Sequence, residues 1–483
     1  MEHELQFLRT RRDFMRQAAC AALGTIGLTS AIRDLRLIGS AAAQGPLDDY
    51  KALVCIFLSG GNDSNNLIVP RGADWVNYSA IRQNLAIPEA ALHPIVPVSG
   101  DGRMFGLHPS CVELKTLFDE GKLATIFNVG VLSYPMTRAQ YQSNSVPRPP
   151  QLFSHSDQVT HWQTSLPDQP PKSGWGGRIA DLLQPRQIDL LNSNNSARIA
   201  LCTSVNGANT FEVGNTYQQY HVSTNGAVLL SGVTGARLTA VKDLIGIPSV
   251  NLQQQAYSEV ADHALDTGQL LNDAIQYTGT GWTWEAAFPT SSLGNQLKMV
   301  ARLIAARGQL KMKRQIFFVS VGGYDTHTNQ TAVTDPTTGS HANLLNELSE
   351  AIYAFQRGME QLGRLTTNPN FSNDPQIANR VTAFTASDFG RTFPTNGEGS
   401  DHGWGSHHLV VGGAVKGKRT YGTFPVQQVN GPDDTSTGRW IPRLSVDEYS
   451  ATLARWFGVE PGLLSTVFPN LGRFATPDLG FMS

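Results

Sequence analysis

The chain has 483 residues, room for one large domain with insertions or for two to three domains. Its 37 basic and 39 acidic residues nearly cancel, to a net charge of −2, so it carries no electrostatic footprint for nucleic acid. A 40% hydrophobic content with 46 Gly and 26 Pro fits a loop-rich enzyme better than a bundle or a fibre.

At the start, Thr10-Arg11-Arg12-Asp13-Phe14 precedes a mildly apolar stretch, Ala18 to Ile32, and then Ala41-Ala42-Ala43. Adjacent arginines, a nearby Phe and a small-residue cleavage site are the pattern of a bacterial twin-arginine export signal. Residues 1–43 are therefore expected to engage the twin-arginine export machinery. Residues 44–483 are expected to be one domain released to the periplasm or beyond. No later apolar run reaches the roughly 18 residues a spanning helix needs, so no membrane span is expected in the mature chain. Cys55, Cys111 and Cys202 remain after the signal, too few and too scattered for a disulfide framework or a thiolate metal site.

Leu53 to Leu58 is a short continuous apolar run, the pattern of a strand buried on both faces, and it ends in Gly60-Gly61-Asn62-Asp63. Helical patterns follow at Trp75–Leu85 and Val112–Glu120, and a second buried-type strand at Leu123–Val129. The segment from about 200 to 290 is poor in patterns and reads as an insertion or cap, with a helix at Gln253–Tyr277. Order returns with a helix at Leu293–Ala306, a strand at Gln315–Val321, a helix at Ala342–Leu362 and a strand at Arg380–Thr385. His408–Gly413 adds a strand and Val446–Phe457 a closing helix. The alternation predicts an α/β fold: a large, mostly parallel sheet with helices on both faces.

Three of these strands end in acidic loops: Asp63 after the first, Asp325 within Gly322-Gly323-Tyr324-Asp325-Thr326-His327, and Asp388 within Ser387-Asp388-Phe389-Gly390-Arg391. A further loop carries Asp401-His402 and His407-His408. One Asp after a strand is an ordinary turn or helix cap. Three, joined by His327 and His402, predict convergence on divalent metal at the edge where α/β sheets bind ligands. Mixed carboxylate and imidazole donors favour Zn or Mn; purely oxygen sets favour Mg or Ca.

The stretches GGND, GGYDTHTNQ, SDFGRT and SDHGWGSHHLVVGGAVKGKRTYG resemble the signatures of an exported bacterial family catalogued as domain-of-unknown-function family 1501. That family is placed among the alkaline-phosphatase-like and sulfatase-like folds. The resemblance implies metals at the strand ends and cleavage of phosphate or sulfate esters through a Ser, Thr or formylglycine nucleophile. By motif, Asp63 and Asp388 would serve the metal beside the nucleophile, and Asp325, His327 and His402 the other. The superfamily commonly places His directly after the late Asp, where this chain has Phe389, and sets the Asp and His of the other metal further apart than Asp325 and His327. The nucleophile is expected at a helix N-terminus. Ser154, in Leu152-Phe153-Ser154-His155, and Thr137, beside Arg138, are the candidates, and each is equally a helix cap. Arg391 is a candidate clamp for a sulfate or phosphate, or a structural ion pair. The expected partner is an anionic ester or polysaccharide; the alternative role is a non-catalytic envelope or polysaccharide-binding protein on the same scaffold.

Overall fold

A computed structural model describes residues 47, 49–187, 197–227, 229–230, 232–277, 283–365 and 374–483. The expected export signal at 1–43 lies outside the described residues. The main elements are β1 (Lys51–Leu58), α1 (Ala73–Arg82), α2 (Val112–Asp119), β2 (Leu123–Gly130), α3 (His155–Thr164), α4 (Trp175–Leu183) and β3 (Cys202–Ser204). They continue with α5 (Leu252–Tyr277), α6 (Ser292–Ala305), β4 (Arg314–Val321), α7 (Ser340–Arg364), β5 (Val381–Ser387), β6 (Ser406–Gly412) and α8 (Val446–Phe457).

These strands build a ten-stranded sheet whose centre runs β2-β6-β5-β1-β4-β3. β1 pairs in parallel with both β5 and β4, and β3 pairs in parallel with β4, while β6 runs antiparallel to β5 and β2. β1 explains why its sequence is continuous rather than alternating: residues 52–58 are all buried. Ala52, Val54, Ile56 and Leu58 pack on one face with Leu117 of α2, Leu297 of α6 and Leu345 of α7. Leu53, Cys55 and Phe57 pack on the other with Trp162 of α3, Trp175 of α4 and Tyr449 of α8. Each buried Val, Leu, Ile or Phe side chain among them contributes about 1.5–3 kcal/mol. The fold is α/β with a large, mostly parallel central sheet flanked by helices, as the alternation predicted.

The segment expected as an insertion begins inside this sheet. Cys202, Thr203 and Ser204 form β3 beside β4, and Tyr220–Ser223 pairs with β3 in turn. Three residues carry too little periodicity to read as a strand. Only the following part stands off the sheet: helix Ala236–Ile245 has no buried residue. Among the described residues, no helix is long and apolar enough to cross a membrane. Cys55, Cys111 and Cys202 are free and buried.

Candidate metal centre

The register Val321↔Leu58↔Ser387 brings the ends of β4, β1 and β5 level, so their loops leave the sheet side by side. Gly60 lets them close up. It has φ +117, and a Cβ there would lie 2.4 Å from the backbone nitrogen of Asp325. Gly61 makes room for Phe389, whose ring would meet a Cβ at 2.5 Å.

Across this edge lies α3. Trp162, two turns into the helix, is buried against Phe57, Trp175 and Tyr449. That anchor sets the N-terminal residue, His155, over the loop of β5. His155 Nδ1 lies 2.7 Å from Asp388 Oδ2, while Asp388 Oδ1 accepts from Gly60 N at 3.1 Å. With Nδ1–H donated to the carboxylate, the Nε2 lone pair of His155 points toward Asp325 Oδ2, 3.4 Å away. His402 repeats the arrangement. Its Nδ1 donates to Phe153 O at 2.8 Å, and its Nε2 lies 3.4 Å from Asp325 Oδ1. His327 Nδ1 is 3.0 Å from Asp401 Oδ1, and its Nε2 is 3.2 Å from Asp325 Oδ1 and 2.9 Å from His402 Nε2. These tautomers follow from the fixed acceptors at each Nδ1.

Lone pairs aimed at one another and at a carboxylate repel unless a positive charge lies between them. Ligand atoms of His155, Asp325 and His402 all fall within 4.8 Å of one another, a spacing that suits one cation. Each imidazole is oriented from behind by an oxygen: Asp388, Asp401 or Phe153 O. Metal-bound histidines are usually held this way. Phe389 is the floor beneath two of the rings, 4.8 Å from His155 and 4.7 Å from His402.

The charges follow from these contacts. The hydrogen bond to Asp388 raises the His155 pKa above 6.5, against burial. Burial lowers that of His402, helped by the nearby His155 and Arg391. Burial pushes Asp325 up, but the hydrogen bond and charge of Arg391, with His155 and His327, leave it below 3.8. Beside the cluster, Ser59, Gly60, His155, Ser156, Gly322, Gly323, Asp325 and Asp388 line an open recess of about 440 Å³.

Asp325, His327 and His402 thus come together, and Asp388 joins them behind His155 rather than as a bare carboxylate. Asp63 does not join them. It is fully buried, ion-paired to Arg82 of α1, with Oδ2 also accepting from Gln330 and Oδ1 from Asn65 at 3.2 Å. Its oxygens are engaged by Arg82, Gln330 and Asn65 in the protein interior, apart from the histidine cluster. Arg391 is likewise buried, bonding Asp325 Oδ1 at 2.8 Å, Gly60 O at 3.3 Å and Ser400 O. It holds Asp325 and is not an open clamp for an anion.

Thr137 heads the short helix Arg138–Ser143 in a capping box with Gln140, so its hydroxyl has a structural partner. Ser154 is the N-cap of α3, yet its side chain bonds no backbone N–H; Oγ donates to Asp157 Oδ2 at 2.6 Å. It lies 3.2 Å from Ser156 Oγ, and Ser156, like Ser59 but unlike Ser154, lines the recess. His155 was missed as a ligand although it stands in the Ser-His segment; its place at a helix start was the available signal. Arg82 carried no signal at all, since only the fold brings α1 over Asp63.

Fold and site together define an α/β protein with a histidine-rich candidate metal centre at the C-terminal edge of its sheet. The chain belongs to the family described as "Protein of unknown function (DUF1501)", whose model matches residues 50–437. Among solved structures, the sulfatase PsFucS1 from Pseudoalteromonas sp. is similar at 10% identity and a TM-score of 0.33, over 89% of this chain and 72% of that one. None of the curated proteins matches the chain.

Proposed function

We propose that the chain is an exported, metal-dependent hydrolase of phosphate or sulfate esters, working with one cation held by His155, His402 and Asp325, with His327 beside them. One observation carries the reading: His155 and His402 both have Nδ1–H donated elsewhere and both turn Nε2 on the Asp325 carboxylate. Nitrogen-rich donors of this kind favour Zn or Mn over Mg or Ca. When bound, such a cation would polarise an ester oxygen and stabilise the charge developing on it.

The chain's own groups supply the rest. The first turn of α3 opens beside the recess with N–H groups that Ser154 leaves uncapped, a setting that favours an anionic ester. Ser154 is the proposed attacking hydroxyl, with Asp157 accepting its proton. A non-catalytic polysaccharide-binding role is the second reading. The Asp63–Arg82 ion pair favours it, because it withdraws a carboxylate from a two-metal set.

The test is elemental analysis of protein exported by its host, followed by a panel of aryl phosphates, phosphodiesters and aryl sulfates. The hydrolase reading expects bound divalent metal, lost in Asp325→Ala and His402→Ala, and turnover of at least one ester class. Metal without turnover favours the binding role. Export by the twin-arginine route is part of the proposal, and Arg11→Lys with Arg12→Lys should strand the precursor in the cytoplasm. Mature protein still found outside the cytoplasm would count against it.

A further inference from the structure

Beside His402 the surface changes character. From Leu123 to Ser156 the sequence has no Asp or Glu, while it carries Arg138 and Arg148. Arg439 joins them in space: its guanidinium lies 4.1 Å from the ring centre of Phe153, and its Nε donates to His402 O at 2.7 Å. Arg148 lies 4.7 Å over Tyr141, with Nε bonded to Asn144. Arg138 is fixed by Asp434 O at 3.0 Å and Asn430 Oδ1 at 3.1 Å. Tyr141 and Phe153 both rest on one apolar cluster with Trp404, two residues from His402, so the arginines border the metal centre.

Among the described residues no carboxylate forms an ion pair with Arg138, Arg148 or Arg439, whereas most other arginines at the surface have one. Unpaired guanidinium groups, held in place by rings and oxygens, are arranged for an external anion. The two aromatic rings of the strip are already in use: Arg148 lies over Tyr141, which also contacts the Trp404 ring at 6.0 Å, and Arg439 lies over Phe153, which packs against the apolar cluster, so they are poorly placed to stack bases.

We infer that this arginine strip holds a polyanionic glycan carrying sulfate or phosphate esters, so that the substrate is a polymer bound across the strip with one ester at the metal centre. The inference rests on the hydrolase reading for the last clause, while the strip stands on its own contacts.

The test uses the exported, metal-loaded protein with dextran sulfate, neutral dextran and a single-stranded oligonucleotide of matched charge. Dextran sulfate should bind and neutral dextran should not. Arg138→Gln with Arg148→Gln should weaken dextran sulfate binding roughly two- to thirtyfold and flatten its salt dependence. Turnover of a small aryl ester should stay unchanged in that variant, as should its melting temperature. Arg148→Glu, at an exposed position, should weaken binding further. Equal binding of the oligonucleotide overturns the glycan assignment in favour of nucleic acid. Binding untouched by the variants, or absent in the wild type, overturns the strip. Dextran sulfate binding without turnover of any ester leaves the strip standing and sinks the hydrolase reading alone.

Discussion

His155 and Asp388 are joined by a 2.7 Å hydrogen bond from Nδ1 to Oδ2, and that bond decides which nitrogen of the imidazole faces Asp325. A carboxylate behind a histidine fixes its tautomer and strengthens its free nitrogen as a ligand.

Asp388→Ala is therefore expected to lower metal affinity about 10–100-fold while the fold survives. Asp388→Asn keeps an acceptor for Nδ1–H and should lose less. Competition with a chelator measures both, and the visible spectrum of a cobalt-substituted protein reports the donor set. If Asp388 were a direct ligand, Asn and Ala would cost alike and the cobalt spectrum would change in both.

Asp63 should behave in the opposite way. Asp63→Ala leaves Arg82 charged, buried and without its carboxylate, a change that typically costs about 3–5 kcal/mol. The denaturation midpoint should fall accordingly, while the fraction that still folds keeps its metal. Metal lost from folded Asp63→Ala protein would return Asp63 to the ligand set.

Much of the frame was legible because parallel strands buried on both faces read as unbroken apolar runs. Leu53–Leu58 is such a run and Gln315–Val321 nearly one, and the observed strands extend them by one or two residues; Arg380–Thr385 is more mixed, and its strand runs from Val381 to Ser387. Their acidic ends were legible as a cluster because adjacent parallel strands share one edge. The division of labour within the cluster was not. Whether an Asp binds a cation, a guanidinium or an imidazole depends on what stands opposite, and Arg82 reaches Asp63 only through the packing of α1. Phe389, which looked like a missing ligand, is the surface on which two imidazoles rest.

Buried histidines are expected to give the metal-free protein a stability maximum near pH 6.5. Burial pushes His108 down to about 3, His341 to about 4, and His407 and His408 to about 3. The unfolded chain takes up these protons below about 6.5 and the fold does not, so stability falls as the pH drops. Glu212 and Asp447, pushed up by burial to about 8 and about 7, have the opposite sign: the fold keeps protons that the unfolded chain releases, and stability falls as pH rises toward those values. The raised pKa of His155 acts in the same direction above 6.5. Four histidines outweigh two acids between about pH 4.5 and 6.5, and only the second set acts above. Urea titrations from pH 4.5 to 8.5 check this. A maximum below about pH 5 would show that the buried histidines are charged in the fold, and one above pH 8 that Glu212 and Asp447 are ionised in it.

The attacking hydroxyl separates the hydrolase reading from the binding role most sharply. Ser154 Oγ donates to Asp157 Oδ2 at 2.6 Å and caps no backbone N–H, so Ser154→Ala should cost little stability. Thr137→Ala removes a capping box at an exposed site, typically about 0.5–2 kcal/mol, and should leave turnover intact. If Ser154 attacks the ester, Ser154→Ala keeps the metal and loses several orders of magnitude in turnover, because the covalent route is gone. Asp157→Asn should lower turnover as well, by removing the proton acceptor, and its loss should shrink as pH rises. Ser156 lies nearer the recess, 3.2 Å from Ser154 by its own oxygen, so Ser156→Ala is the control that matters. Loss in Ser156→Ala with Ser154→Ala active moves the nucleophile by two residues along the same helix start. Full activity in both, with a metal-loaded and folded protein, rules out a serine nucleophile at α3.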